Sequence, residues 1–181
     1  MNRIARGVLV AGVVASIAAG GAQAQARGYI GFGAGVSIPN GDFGDEFKTG
    51  WLAQVVAGIT GPTGVIGGRV NGSITRHNHD TLNDNTAKLV GAMGDLVFSP
   101  GSGGAKVRPY LLGGIGFQNV KLEAGPLENS VTELAYNFGA GMTIALSKAK
   151  LFVEGRWLSV QTDPSSTNLI PISLGLRFGG N

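Results

Sequence analysis

The sequence predicts an all-β protein: an eight-stranded, antiparallel, up-and-down transmembrane β-barrel. Three observations point there. Apolar and polar residues alternate with period two along most of the chain, the signature of strands whose two faces meet different media. The connections between these strands alternate long and short without exception. In the later strands the charges share a face with glycines and small polar residues while the other face is apolar, the inverse of a water-soluble barrel.

The first 24 residues stand apart from that pattern. Arg3 and Arg6 precede the apolar run "GVLVAGVVASIAAG", and Ala22-Gln23-Ala24 forms an A-x-A site. This is the pattern of a cleaved secretory signal peptide over residues 1–24, with a barrel domain over 25–181. The mature chain would have 157 residues (181 minus 24), with 12 basic and 11 acidic side chains and a net charge of +1. Such a balance gives no footprint for nucleic acid. Cysteine is absent, so no disulfide stabilises the exported domain. Glycine is abundant, 32 of 181 residues, but without a G-X-Y period. Glycines scattered through strands fit a tightly curved sheet.

Strands are expected at about 27–38, 51–60, 65–75, 88–98, 107–120, 131–145, 151–160 and 169–179. The second carries Gln54 toward the interior by parity, the third Arg69 and Asn71, the fourth Asp95, and the fifth Arg108 and Tyr110. In the sixth, Leu134, Tyr136, Phe138, Met142 and Ile144 oppose Glu133, Asn137, Gly139, Gly141 and Thr143. In the seventh, Leu151, Val153 and Trp157 oppose Glu154 and Arg156. In the eighth, Ile170, Ile172, Leu174, Leu176 and Phe178 oppose Pro171, Ser173, Gly175 and Arg177. The tight connections are 61–64, 99–106 and 146–150, and the long ones 39–50, 76–87, 121–130 and 161–168. Outer-membrane barrels have short periplasmic turns and longer extracellular loops, which puts both termini in the periplasm.

The inward charges are therefore Arg69, Asp95, Arg108, Glu133, Glu154, Arg156 and Arg177. Four bases and three acids suggest a salt-bridge network weighted to the periplasmic half. The alternative is a lining for an ion path. An eight-stranded barrel is just wide enough for side chains to fill it, which favours a plug. Residues two apart on a strand are separated by about 7 Å. Glu154 and Arg156 are thus expected to pair across strands, with Arg108 or Arg156 bridging Glu154 and Asp95.

The stretches "GVSIPNGDFGDEFKTGW", "RPYLLGGIGF", "AYNFGAGMTIALSKAKLFVEGRW" and "IPISLGLRF" resemble the outer membrane protein beta-barrel domain family of Gram-negative bacteria. The most specific parts are the Pro-Tyr-x-x-x-Gly-x-Gly strand (109–116) and the segment 139–156. The resemblance implies an eight-stranded outer-membrane barrel and no single activity. Members commonly end on an aromatic residue read by the barrel-assembly machinery. Here Phe178 is followed by Gly179, Gly180 and Asn181, so Leu174, Leu176 and Phe178 would carry that signal internally. Other implied partners are outer-membrane lipid or lipopolysaccharide and periplasmic chaperones, with the barrel a monomer.

Candidate chemistry elsewhere is thin. His77 and His79 form an H-x-H near Asp80 and Asp84, short of a demonstrated third zinc ligand. Asp42, Asp45 and Glu46 do not follow the EF-hand spacing. They could at most make a loose divalent-cation contact, and Phe43 and Phe47 read as loop-packing residues. Glycine spacings near 31–41 and 113–120 precede no helix and fail the dinucleotide fingerprint. Ser73, His77 and Asp80 straddle a strand end and do not make a triad. No metal, cofactor or enzymatic activity is expected. The expected role is structural, in envelope integrity or surface contact. The alternatives are a narrow porin-like channel for small solutes and, behind it, an outer-membrane lipid-modifying enzyme.

Overall fold

Eight antiparallel strands close on themselves: β1 (Arg27–Asn40), β2 (Gly50–Thr60), β3 (Ile66–Asn78), β4 (Asn85–Phe98), β5 (Val107–Ala124), β6 (Leu127–Ala145), β7 (Lys150–Val160) and β8 (Thr167–Gly179). Each pairs with its successor, and β8 returns to β1 through a register that runs from Tyr29 opposite Gly179 to Asn40 opposite Asn168. Closure removes every sheet edge, the condition for strands to cross hydrocarbon. The computed structural model describes residues 27–78, 85–101, 105–124, 127–161 and 166–180. Residues 1–24, expected as a signal peptide, and His79, Asp80 and Asp84 lie outside the described residues.

Turn chemistry accounts for the tight end. In Gly61-Pro62-Thr63-Gly64 the Gly61 amide donates to Ile66 O at 2.8 Å and the Gly64 amide to Gly61 O at 2.9 Å. Gly64 has φ 73°, in the left-handed region that glycine enters freely. A second tight turn closes through the Leu146 amide and Ala149 O at 2.8 Å.

Two of the expected long connections are taken up in good part by strand. β3 continues to Asn78 and β4 begins at Asn85, while β5 reaches Ala124 and β6 begins at Leu127. The ladders persist there, with Arg76 opposite Lys88 and Lys121 opposite Ser130. In the β3, β4 and β6 extensions both faces carry polar residues, which weakens the alternation by which a strand is recognised. In the first long connection a short helix, α1 (Asp42–Glu46), brings Phe43 and Phe47 together with ring centroids 4.5 Å apart.

Parity sets the two faces. Outward residues form an exposed apolar belt that includes Phe32, Leu96 (73 % exposed), Ile115 (68 %), Phe138 and Leu174. On β8 it runs from Ile170 to Phe178 and on β3 from Ile66 to Ile74. Nine residues per strand match the tilted strand length of about 9–11 needed to span a bilayer. The buried inward side chains are arranged in layers. Toward the long loops Leu89, Met93, Val120, Ala135, Leu158, Val160 and Leu169 form an apolar cluster, with Phe43 packed against it. Polar and charged side chains occupy the middle. The apolar layer was not expected from the sequence. Its residues share parity with the inward charges, but they sit in runs such as "LVGAM" and "WLSV" that are apolar on both faces.

Candidate functional site in the barrel lumen

Glu154 is the hub of the middle layer, and its own residue exposure is 1 %. Arg69 donates to both its oxygens, Nη1 to Oε2 at 2.6 Å and Nη2 to Oε1 at 2.9 Å. Tyr110 donates its hydroxyl to Oε2 at 2.7 Å. The third donor atom of Arg69, Nε, reaches Asp95 Oδ2 at 2.9 Å, and Asn137 Nδ2 donates to Asp95 Oδ1 at 2.8 Å. On the other side Arg156 Nε lies 3.2 Å from Glu154 Oε1, and its Nη2 donates to Gln54 Oε1 at 2.6 Å. Asn71 also donates to Gln54 Oε1, at 2.7 Å, and Gln54 donates to Ser173 Oγ at 2.8 Å.

One connected network thus joins seven strands, β2 to β8. Its four charged groups, Arg69, Arg156, Asp95 and Glu154, sum to zero. Fork-to-carboxylate pairing of the Arg69–Glu154 kind is the strong and geometrically selective form of the charged hydrogen bond. A buried pair needs such complete pairing, because each ion has lost its hydration.

Glycines make the crossings possible. In register, Tyr110 on β5 faces Gly141 on β6, which faces Glu154 on β7. Having no side chain, Gly141 lets Tyr110 lie across β6 to the carboxylate. A Cβ there would be 2.5 Å from Tyr110 Cζ and 2.6 Å from its hydroxyl. Likewise Asp95 on β4 reaches Asn137 on β6 over Gly114 of β5. The expected result for Gly141→Ala is a loss of about 1–3 kcal/mol from overpacking. Urea titration in lipid vesicles would measure it, and Ala140→Gly on the opposite face serves as the control.

The bridge between Glu154 and Asp95 is Arg69, not Arg108 or Arg156. Arg69 is the direct cross-strand partner of Asp95, and its guanidinium then spans the lumen to β7. Strands in a barrel are staggered by its shear, so depth counted from the turns does not rank side chains correctly. Glu154 and Arg156 do meet, although they are two apart on one strand, because the long arginine stem folds back along the lumen.

The other inward charges lie apart. Arg108 turns to the tight end, where Nη2 donates to Gly64 O at 2.7 Å. Arg177 stacks over the Tyr29 ring, 4.3 Å from its centroid. Glu133 sits opposite Gln118 toward the long loops, and no ion pair among the described residues includes it. His77, above the apolar belt, points into the outer lumen with Nδ1 3.0 Å from Lys48 O and Phe43 edge-on at 5.7 Å. Burial pushes its imidazole below the ordinary range, partly opposed by the Lys48 carbonyl. Among the described residues no group of three His, Cys, Asp or Glu side chains could hold a metal ion.

The sequence profile of the Outer membrane protein beta-barrel domain matches residues 7–178. The chain belongs to the outer membrane protein beta-barrel domain family. As a member it is a transmembrane barrel of the Gram-negative outer membrane. Among solved structures it is similar to Neisserial surface protein A, with TM-score 0.67 and 15% identity over 83% of this chain and 96% of that one. It is also similar to Ail, the attachment invasion locus protein of Yersinia pestis (TM-score 0.55, 16% identity, 84% and 98% covered). The N-terminal barrel domain of Pseudomonas aeruginosa OprF is similar as well (0.53, 18%, 87% and 99%). At these identities the likeness is one of fold. No curated protein sequence matches the chain.

Proposed function

We propose that this outer-membrane barrel is a sealed, non-enzymatic structural element of the envelope, delivered by a signal peptide cleaved after Ala24. The observation that carries the reading is the charge-neutral network around Glu154, capped on its outer side by the apolar layer of Leu89, Met93, Leu158 and Leu169. Two layers packed across the lumen would leave no continuous polar path, which argues against the porin-like alternative. The barrel would act as a monomer, brought across the periplasm by chaperones. The assembly machinery would read Leu174, Leu176 and Phe178, which all face outward on β8.

Contact with anionic lipid on the outer side is supported by a row of cations. Arg76, Lys88 and Lys121 lie side by side in register on β3, β4 and β5, just above the belt. Phosphates of lipopolysaccharide would meet this row from the outer side, and surface contact through the long loops is compatible with this seating.

Deleting the gene tests the role. The strain is expected to become sensitive to detergents and large apolar antibiotics, with growth on limiting small solutes unchanged. An unaltered barrier combined with slower uptake of small solutes would contradict a structural role and favour a channel.

A further inference from the structure

The periplasmic mouth holds a second site, chemically unlike the neutral network above it. A cavity of about 540 Å³ opens between the tight turns. Its charged lining residues are Arg27, Lys106, Arg108 and Lys150, and none of its described lining residues is acidic. A smaller space of about 40 Å³ shares Thr60, Gly64, Arg108 and Thr143 with it and leads upward to Arg177. Arg27, Arg108 and Arg177 all lie close enough to Lys150 to repel its charge.

Such a cluster stands at an electrostatic cost, because Lys150 loses hydration and gains like-charged neighbours. The hydrogen bonds of Arg108 and Lys150 do not offset it: Arg108 Nη2 and Lys150 Nζ each donate to a backbone carbonyl, Gly64 O and Gly180 O, and neither carbonyl carries a full charge. The Nε groups of Arg108 and Arg177 are buried without a hydrogen-bond partner among the described residues; that of Arg156 is too, but it lies 3.2 Å from the Glu154 carboxylate. The middle layer shows how this chain treats arginines that need no outside partner, pairing Arg69 and Arg156 with Asp95 and Glu154.

We infer that the periplasmic mouth is an anion-binding site for a phosphate monoester or diester. Arg108 and Lys150 would contact the phosphate, and Lys106 and Arg27 would supply field at the rim. The guanidinium fork matches phosphate oxygens in geometry as well as charge, while the ammonium acts as a point charge. The cavity falls within the range of about 300–1,000 Å³ usual for small-molecule sites, enough for a phosphate that carries an organic substituent. That chemistry is offered by lipid headgroups of the inner leaflet and by soluble periplasmic phosphates.

The test uses the full barrel purified from outer membranes in zwitterionic detergent and exchanged into phosphate-free buffer with physiological sodium chloride. Inorganic phosphate and glycerol 3-phosphate are titrated by calorimetry. Retention of phosphatidylglycerol against phosphatidylcholine is followed by native mass spectrometry. Saturable phosphate binding is expected, weakened about tenfold or more by either Arg108→Gln or Lys150→Gln through loss of a charge-assisted bond. Lys106→Gln, on an exposed residue, should weaken it less and guards against misfolding as the cause. Heat-modifiable gel migration verifies that each variant is folded. Retained phosphatidylglycerol that free phosphate displaces would identify a headgroup as the source. Phosphate binding without lipid preference would identify a soluble one. Absence of saturable binding in both arms, or binding unchanged in the folded Arg108→Gln, Lys150→Gln double variant, would overturn the assignment.

Discussion

Glu154→Ala is expected to destabilise the barrel by about 3–5 kcal/mol, the usual penalty for removing one partner of a buried ion pair. Glu154 accepts two bonds from Arg69 and one from Tyr110, and it contacts Arg156. Its removal leaves two arginines facing Asp95 alone and a tyrosine hydroxyl without its acceptor. Two changes made together separate the pairing from the loss of volume. Arg69→Gln with Glu154→Gln should cost less than the sum of the single changes, because each single leaves an uncompensated charge. The same comparison for Arg156 should give a smaller coupling, since that contact is a single one at 3.2 Å against the fork of Arg69. Additive singles for Arg69 and Glu154, measured by urea titration in vesicles, would dissolve the network into independent residues. The surplus positive charge in Glu154→Ala should also make any leak it opens prefer anions.

Leu174→Arg is expected to cost about 2–4 kcal/mol, the range for arginine at the bilayer midplane of a barrel. Leu174 is the central outward residue of β8, between Ile170 and Phe178, and is 53 % exposed to the surrounding medium. The cost should fall in thin bilayers, where the guanidinium reaches the interface more readily. Ser173→Arg, one residue away, fails for a different reason. Ser173 is buried in the lumen and accepts the Gln54 bond, so its replacement crowds the network and its cost should not depend on bilayer thickness. A neutral Leu174→Arg at every thickness would invert the assignment of faces.

That assignment was legible in the sequence because the period of a strand is two and the medium differs on each side. Gln54, Arg69, Asp95, Glu154 and Arg156 all point inward from parity alone, and all are buried. The strand order followed from the alternation of long and short connections. The partner of each charge was not legible, because pairing across a lumen depends on stagger, which one strand read by itself does not contain. A usable signal was present in the glycines: Gly114 and Gly141 stand in the rows Asp95–Gly114–Asn137 and Tyr110–Gly141–Glu154, where a missing side chain lets its neighbours meet. The strand extensions around Arg76, Lys88 and Lys121 were hidden because polar residues stand on both faces of most of them, among them the buried His77. The inward Leu89, Met93 and Leu158 were hidden because apolar residues flank them on the lipid face.

Planar-bilayer recording of the purified barrel tests most directly whether the lumen is closed. The filled lumen predicts no discrete current steps from the wild-type protein at moderate voltage, with steps appearing in Glu154→Ala under the same conditions. Stable, ohmic steps from the wild-type protein that scale with salt concentration would contradict it, for they would require a continuous water path through the layer around Glu154.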